Sequence, residues 1–170
     1  MRSVIIIGAT VAAVLFTVGT GHAQNARAEL KDANGRTVGE AKLEQKGDSV
    51  RIVATFTGLP SGSHGFHIHE VGTCDPPFES AGAHFNPTGK QHGKDNPQGP
   101  HAGDLPNIEA TSGGRAKVET TAKGVSLGGG KNALLDADGA ALVVHEKTDD
   151  YKTDPAGGAG ARIACGVVRR

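Results

Sequence analysis

Gly65-Phe66-His67-Ile68-His69-Glu70 reads as a short strand with two unlike faces. Side chains alternate across a strand, so Phe66 and Ile68 share one side while His67 and His69 stand together on the other. One side is apolar core, and the other is a pair of imidazoles spaced to share a metal ion. Downstream, His84, His92 and His101 are separated by eight and nine residues, and Asp104 follows three residues later. The intervening sequence is rich in Gly and Pro, so the backbone can bend four donors around one ion. Three ring nitrogens and one carboxylate oxygen make a closed tetrahedral set of the kind zinc takes. Six of the chain's eight histidines fall between His64 and His101, and a further one, His145, ends another apparent strand. A lone histidine is more often a surface or satisfied core residue, and one His-x-His pair would be weak, but this concentration points to a metal centre.

Outward from that strand the sequence alternates in the same way. Asn34-Gly35 is a hairpin-turn pair. Gly39, Ala41 and Leu43 alternate with Glu40, Lys42 and Glu44, and Lys46-Gly47-Asp48 then turns the chain. Val50, Ile52, Ala54 and Phe56 alternate with Arg51, Val53, Thr55 and Thr57, and Gly58-Leu59-Pro60 closes that strand. Residues 104–110, 115–121, 140–145 and 161–168 complete about eight short strands. The pattern predicts an all-β sandwich or flattened barrel. Residues 72–103 and 147–160 break the rhythm, and loops of that length usually carry function.

A chain of 170 residues with 36% hydrophobic content is enough for one domain with its own core. Its 26 glycines, few aromatics and absence of Trp suit short strands and turns better than a helical bundle. Lys+Arg and Asp+Glu balance at 18 each, which argues against a nucleic-acid partner. Arg2 precedes an apolar run over residues 4–18 and the small-residue tail Gly21-His22-Ala23, the pattern of an export signal cleaved after Ala23. The alternative is an uncleaved anchor. Cleavage leaves residues 24–170 as a single domain with no stable membrane insertion. Removing Arg2 leaves 17 basic against 18 acidic residues, a charge of about −1. In an exported chain the two cysteines, Cys74 and Cys165, point to one disulfide rather than two free thiols. By loop-closure reasoning such a bond contributes roughly 4 to 5 kcal/mol.

Together with the His67-Ile68-His69 strand, five motifs carry a resemblance to a known family. They are Gly82-Ala83-His84-Phe85-Asn86-Pro87, His92-Gly93, His101-Ala102-Gly103-Asp104-Leu105, Val143-Val144-His145-Glu146-Lys147 and Arg162-Ile163-Ala164-Cys165-Gly166-Val167. Over residues 28–168 the chain resembles copper,zinc superoxide dismutases. The resemblance implies an eight-stranded antiparallel Greek-key β-sandwich or flattened barrel. It also implies copper held by His67, His69, His84 and His145 and zinc held by His84, His92, His101 and Asp104, one ion of each per chain. The implied activity is dismutation of superoxide to dioxygen and hydrogen peroxide by a redox-cycling copper bridged through His84 to a structural zinc. Arg162 is similar to the family's anion-guiding arginine, and Asp149 to the carboxylate that links His67 to His92. Taken alone, both would read as solvated charges. His64 matches a position that the family uses in packing.

The export signal places the mature chain in the periplasm or outside the cell, and the resemblance implies superoxide as its substrate. Two departures stand out. Residues 147–160 are shorter than in long-looped eukaryotic members, which leaves the pattern of steering charge open. Arg169 and Arg170 stand where eukaryotic members pack an apolar tail into a dimer contact, which leaves a homodimer open. A non-catalytic periplasmic copper or zinc carrier on the same fold is the competing reading. It would need the metal ligands but not Arg162.

Overall fold

The computed structural model describes residues 24–170, so the predicted export signal at residues 1–23 lies outside the described residues. Among the described residues nine strands run β1 (Asn25–Asp32), β2 (Thr37–Lys46), β3 (Ser49–Thr57), β4 (Gly62–His64), β5 (Phe66–His69), β6 (Ile108–Ala110), β7 (Arg115–Lys123), β8 (Ala141–His145) and β9 (Arg162–Val167). Seven of them form one antiparallel sheet in the order β5-β8-β9-β1-β2-β3-β7, and β4 pairs with β6. β4 runs into β5 through Gly65, and β6 turns into β7 through residues 111–114, where Gly114 N donates to Thr111 O and Thr111 N to Arg115 O. The small sheet therefore links the two edges of the large one, giving the flattened barrel that the sequence predicts.

About eight predicted strands become nine because β4, which the sequence reading did not mark, precedes the strand carrying His67 and His69 and is separated from it at Gly65. A Cβ at Gly65 would press within 2.8 Å of Ala159 Cβ and 3.4 Å of His145 Cβ, and here the chain passes from one sheet to the other. The predicted strand at residues 104–110 shortens to β6. A third strand-poor stretch, residues 124–140, joins the two that the sequence suggests, and it buries Val125, Leu127 and Leu134.

The alternation read from sequence sets the core. Leu43, Ile52, Ala54 and Phe56 from β2 and β3 face inward against Leu30, Phe66, Ile68, Leu142 and Val144. Phe56 meets Phe66 edge to face at 5.8 Å. At the predicted Asn34-Gly35 turn, the Asp32 carboxylate accepts from the backbone N–H of Asn34 and of Arg36, both at 3.0 Å. β8 reads as an unbroken apolar run because both its faces are covered. Leu142 and Val144 belong to the main core, while Ala141 and Val143 pack with Phe78, Ala81 and Cys165 in a second small cluster. That cluster sits under the first long loop, where Cys74 and Cys165 form the predicted disulfide.

Candidate metal centre

The free edge of β5 is what draws the histidines together. Its other edge pairs with β8, His67 opposite Val143 and His69 opposite Ala141. The unpaired backbone groups on the free side need partners, and the long loop supplies them. Ile68 N donates to Gly103 O at 2.9 Å, Phe85 N to Ile68 O at 2.9 Å, and Glu70 N to Ala83 O at 3.0 Å. Isolated bridges put His84 beside His69 and Asp104 beside His67. On the opposite flank β8 and β9 pair so that His145 lies across from Arg162, at a bulge between Val144 and His145.

Two donor clusters result, and they meet at His84. In the first, one ring nitrogen from each of His67, His69, His84 and His145 lies within 4.8 Å of the others. Among the described residues, His67 Nδ1 and the Nε2 atoms of His69, His84 and His145 are buried without any hydrogen-bond partner. Four orphaned nitrogens facing one point would be costly in a dry interior and are what a metal satisfies. Donors about 2.0 Å from an ion in a near-planar set lie up to about 4 Å apart across it, which this cluster accommodates.

In the second cluster, Asp104 Oδ1 is approached by Nδ1 of His84 at 3.0 Å, of His92 at 3.0 Å and of His101 at 3.3 Å. His84 and His101 Nδ1 lie 3.5 Å apart. Edges of a tetrahedron whose donors sit about 2.0 Å from its centre are about 3.3 Å, and these four separations are of that size. A donor of His67 also comes within 4.8 Å of those of His84, His92 and Asp104. We nevertheless place His67 in the first cluster, because its Nε2 is already engaged by Asp149.

Four of the rings are fixed through the nitrogen they do not offer. His69 Nδ1 donates to Gly82 O at 2.9 Å, and His145 Nδ1 donates to Gly160 O at 3.1 Å. The carboxylate of Asp149, buried completely, accepts from His67 Nε2 at 2.8 Å and from His92 Nε2 at 2.9 Å. Asp149 therefore joins a ring of one cluster to a ring of the other. Outer partners of this kind set tautomer and ring orientation. The sequence assigned Asp149 this link only by resemblance.

Electrostatics separates the clusters. Burial, reinforced by neighbouring imidazoles, pushes His67 down to about 3, His69 to about 2 and His145 to about 4, so all three are neutral at pH 7 with a lone pair available. His84 is lowered for the same first reason. His92 goes the other way. Burial opposes its charge, but Asp104 and Asp149 outweigh that and raise it to about 9. Burial likewise works against ionised Asp104 and Asp149, yet their histidine contacts hold both well below the usual carboxylate range.

Arg162 lies at the rim, with its side chain 15% exposed. It donates to Phe78 O at 2.6 Å and to Gly82 O at 2.8 Å, so the Gly82 carbonyl is shared by Arg162 and His69. Arg162 lines an open cleft of about 470 Å³ together with His69, His84, His145, Lys90 and Asp154. His64 is buried away from both clusters, its ring nitrogens within 2.9 Å of His145 O and of Pro60 O, a tie between two backbone segments. Sequence reasoning missed Asn107, Tyr151 and Gly157, which surround Asp149. Nothing in local pattern marks them, since each acts through a loop more than forty residues away or through a backbone contact.

Among the described residues no helix is long and apolar enough to cross a membrane. The family model for copper/zinc superoxide dismutase matches residues 37–168. A superoxide dismutase [Cu-Zn] of Aquifex aeolicus is 47% identical over 160 residues, covering 92% of this chain and 95% of that one. Another from Caulobacter vibrioides is 44% identical over 149 residues, with 85% and 86% covered. Among solved structures, a double mutant of a superoxide dismutase-like protein from Bacillus subtilis superposes with a TM-score of 0.80 at 45% identity. That alignment covers 85% of this chain and 97% of the other.

Proposed function

Because this chain belongs to the copper/zinc superoxide dismutase family, we propose that its two donor clusters divide into a copper site and a zinc site. The chain is a superoxide dismutase that binds copper and zinc. His67, His69, His84 and His145 hold copper, and His84, His92, His101 and Asp104 hold zinc. The observation that carries this division is the set of four orphaned nitrogens on one side of His84 and the carboxylate-centred triad of Nδ1 atoms on the other.

When bound, copper supplies a one-electron couple, while zinc, which has no accessible redox change, supplies charge and geometry. The net reaction consumes two superoxide anions and two protons and yields one dioxygen and one hydrogen peroxide. The chain's residues bring the anion in and manage the protons. Arg162 gives two donors to carbonyls and has Glu79 Oε2 3.5 Å from one guanidinium nitrogen, and the remaining N–H groups of its planar fork can meet a small anion. His84 can hold a proton at Nε2, the atom that faces the first cluster, and deliver it to reduced oxygen beside it. Asp149 keeps His67 and His92 turned so that their other nitrogens face the ions.

The purified mature chain, with copper and zinc counted per chain, should dismutate superoxide. Both metals present without activity would revive the carrier reading, which the relatives named as dismutases do not favour. We further propose export and cleavage after Ala23. The support is the charge-free apolar run at residues 4–18 and a disulfide that suits an oxidising compartment. N-terminal sequencing of protein recovered outside the cytoplasm should then begin at Gln24. A homodimer is the assembly to test by sedimentation, with Arg169 and Arg170 as charges its contact would have to accommodate.

A further inference from the structure

We propose that Asn107 is a positioning residue for both metal sites, acting through the main chain of Asp149. The inference rests on the assignment of His67 and His92 to those sites. Asn107 stands immediately before β6, at the barrel wall, and its side-chain amide pairs with Asp149 as a strand neighbour would. Its Nδ2 donates to Asp149 O at 2.9 Å, and its Oδ1 accepts from Asp149 N at 3.0 Å.

The grip is completed from the other side. The backbone N–H of Asn107 donates to the Tyr151 hydroxyl at 2.8 Å, and Tyr151 N donates to Asp149 Oδ1 at 2.6 Å. Tyr151 adopts φ 60°, a left-handed conformation that residues with a Cβ seldom take. That bend places the hydroxyl and the N–H of Tyr151 at opposite ends of the same clasp. Gly157 closes the remaining approach, since a Cβ there would collide with Asp149 Oδ1 and lie 2.8 Å from His92 Nε2.

The carboxylate between His67 and His92 is thus held by its own main chain, and that main chain is pinned to the barrel by one amide. A ring-orienting acceptor works only if it cannot drift, because a shift of its oxygens turns both imidazoles at once. Asn107→Asp separates this role from packing. The new side chain is nearly isosteric and still accepts from Asp149 N, but it sets an oxygen against Asp149 O where a donor stood.

The experiment uses the loaded enzyme. Loss of zinc to a chelator and the Cu(II) paramagnetic resonance spectrum are compared among the parent, Asn107→Asp, Tyr151→Phe, Asp149→Asn and the Asn107→Asp/Asp149→Asn double variant. Asn107→Asp should release zinc about tenfold faster, at the low end of what partners of ligand residues show. Its copper spectrum should change, and Tyr151→Phe should move both readouts the same way by less. The double variant should be no faster than Asp149→Asn, because both substitutions remove one orientation.

A lower melting temperature of Asn107→Asp with unchanged zinc release and copper spectrum would overturn the inference, leaving Asn107 a packing residue. So would effects that multiply in the double variant. If Asn107→Asp does not fold, Tyr151→Phe decides by the same two readouts. If Asp149→Asn itself changes neither readout, the assignment beneath the inference fails, and that outcome is distinct from failure at Asn107 alone.

Discussion

An imidazole has two nitrogens, and at most of the candidate ligands the fold uses one to fix the ring and leaves the other for an ion. His69 and His145 use Nδ1 on carbonyls, and His67 and His92 use Nε2 on Asp149. His84 and His101 differ: His84 turns Nδ1 toward Asp104 and leaves Nε2 bare, as a ring proposed to stand between two ions must, and His101 Nε2 lies 3.9 Å from Asp154. His145→Ala removes a nitrogen from the copper side only. Copper should fall toward zero per chain and activity with it, while zinc stays near one, a result that elemental analysis reads directly. Asp104→Ala should weaken zinc first. His92 supports a second expectation. Burial opposes its charge, yet Asp104 and Asp149 raise it to about 9, so in the metal-free chain at pH 7 it carries a proton on the nitrogen that zinc needs. Zinc uptake should therefore expel about one proton from this residue, and affinity should strengthen with rising pH until about pH 9. Calorimetric titration in two buffers of different ionisation enthalpy measures the release, and none at pH 7 would contradict the pairing of His92 with its two carboxylates.

At the scale of elements, the first long loop is held at its start by a covalent bond and along its length by the edge of β5. Cys74 ties it to β9, and the cluster of Phe78, Ala81, Ala141 and Val143 beneath is too small to hold that segment alone. The carbonyls that seat Arg162, on Phe78 and Gly82, lie in the same segment. Replacing both cysteines by serine should cost about 2 to 5 kcal/mol of unfolding free energy. Activity should fall further than metal content, because the arginine loses its seat before the histidines lose theirs. Denaturant unfolding and metal-normalised rates check the two halves separately. Arg162→Lys should leave both metals in place but lower the rate, since a single ammonium cannot span two carbonyls and an anion.

Over the whole molecule, what local sequence could reveal is what has a local cause. The inward faces of β2 and β3 follow a period of two, and Phe66 and Ile68 against His67 and His69 follow it as well, so core and donors separate by alternation. The break at Gly65, the third loop and the clasp of Asn107 on Asp149 arise from contacts between distant segments, and no period marks them. The same burial that hides the donors makes the metal-free chain sensitive to pH in two directions. His67, His69 and His145 have folded values of about 3, 2 and 4, depressed first by burial, against 6.5 when unfolded. Below pH 6.5 the unfolded chain takes up protons that the folded chain refuses, so stability drains as pH falls from 6.5 toward those values. His92 is raised to about 9, so its contribution is complete below 6.5 and is lost as pH climbs through 9. Asp104 and Asp149, held low, add nothing variable until pH drops below the ordinary carboxylate value of 3.8. The two trends cross near the unfolded imidazole value, and the melting temperature of the metal-free protein should peak between about pH 6 and 7. Calorimetry at pH 5, 6.5 and 8.5 would show lower values at both ends, whereas a melting temperature still rising at pH 8.5 would mean that His92 is not held charged between its two carboxylates.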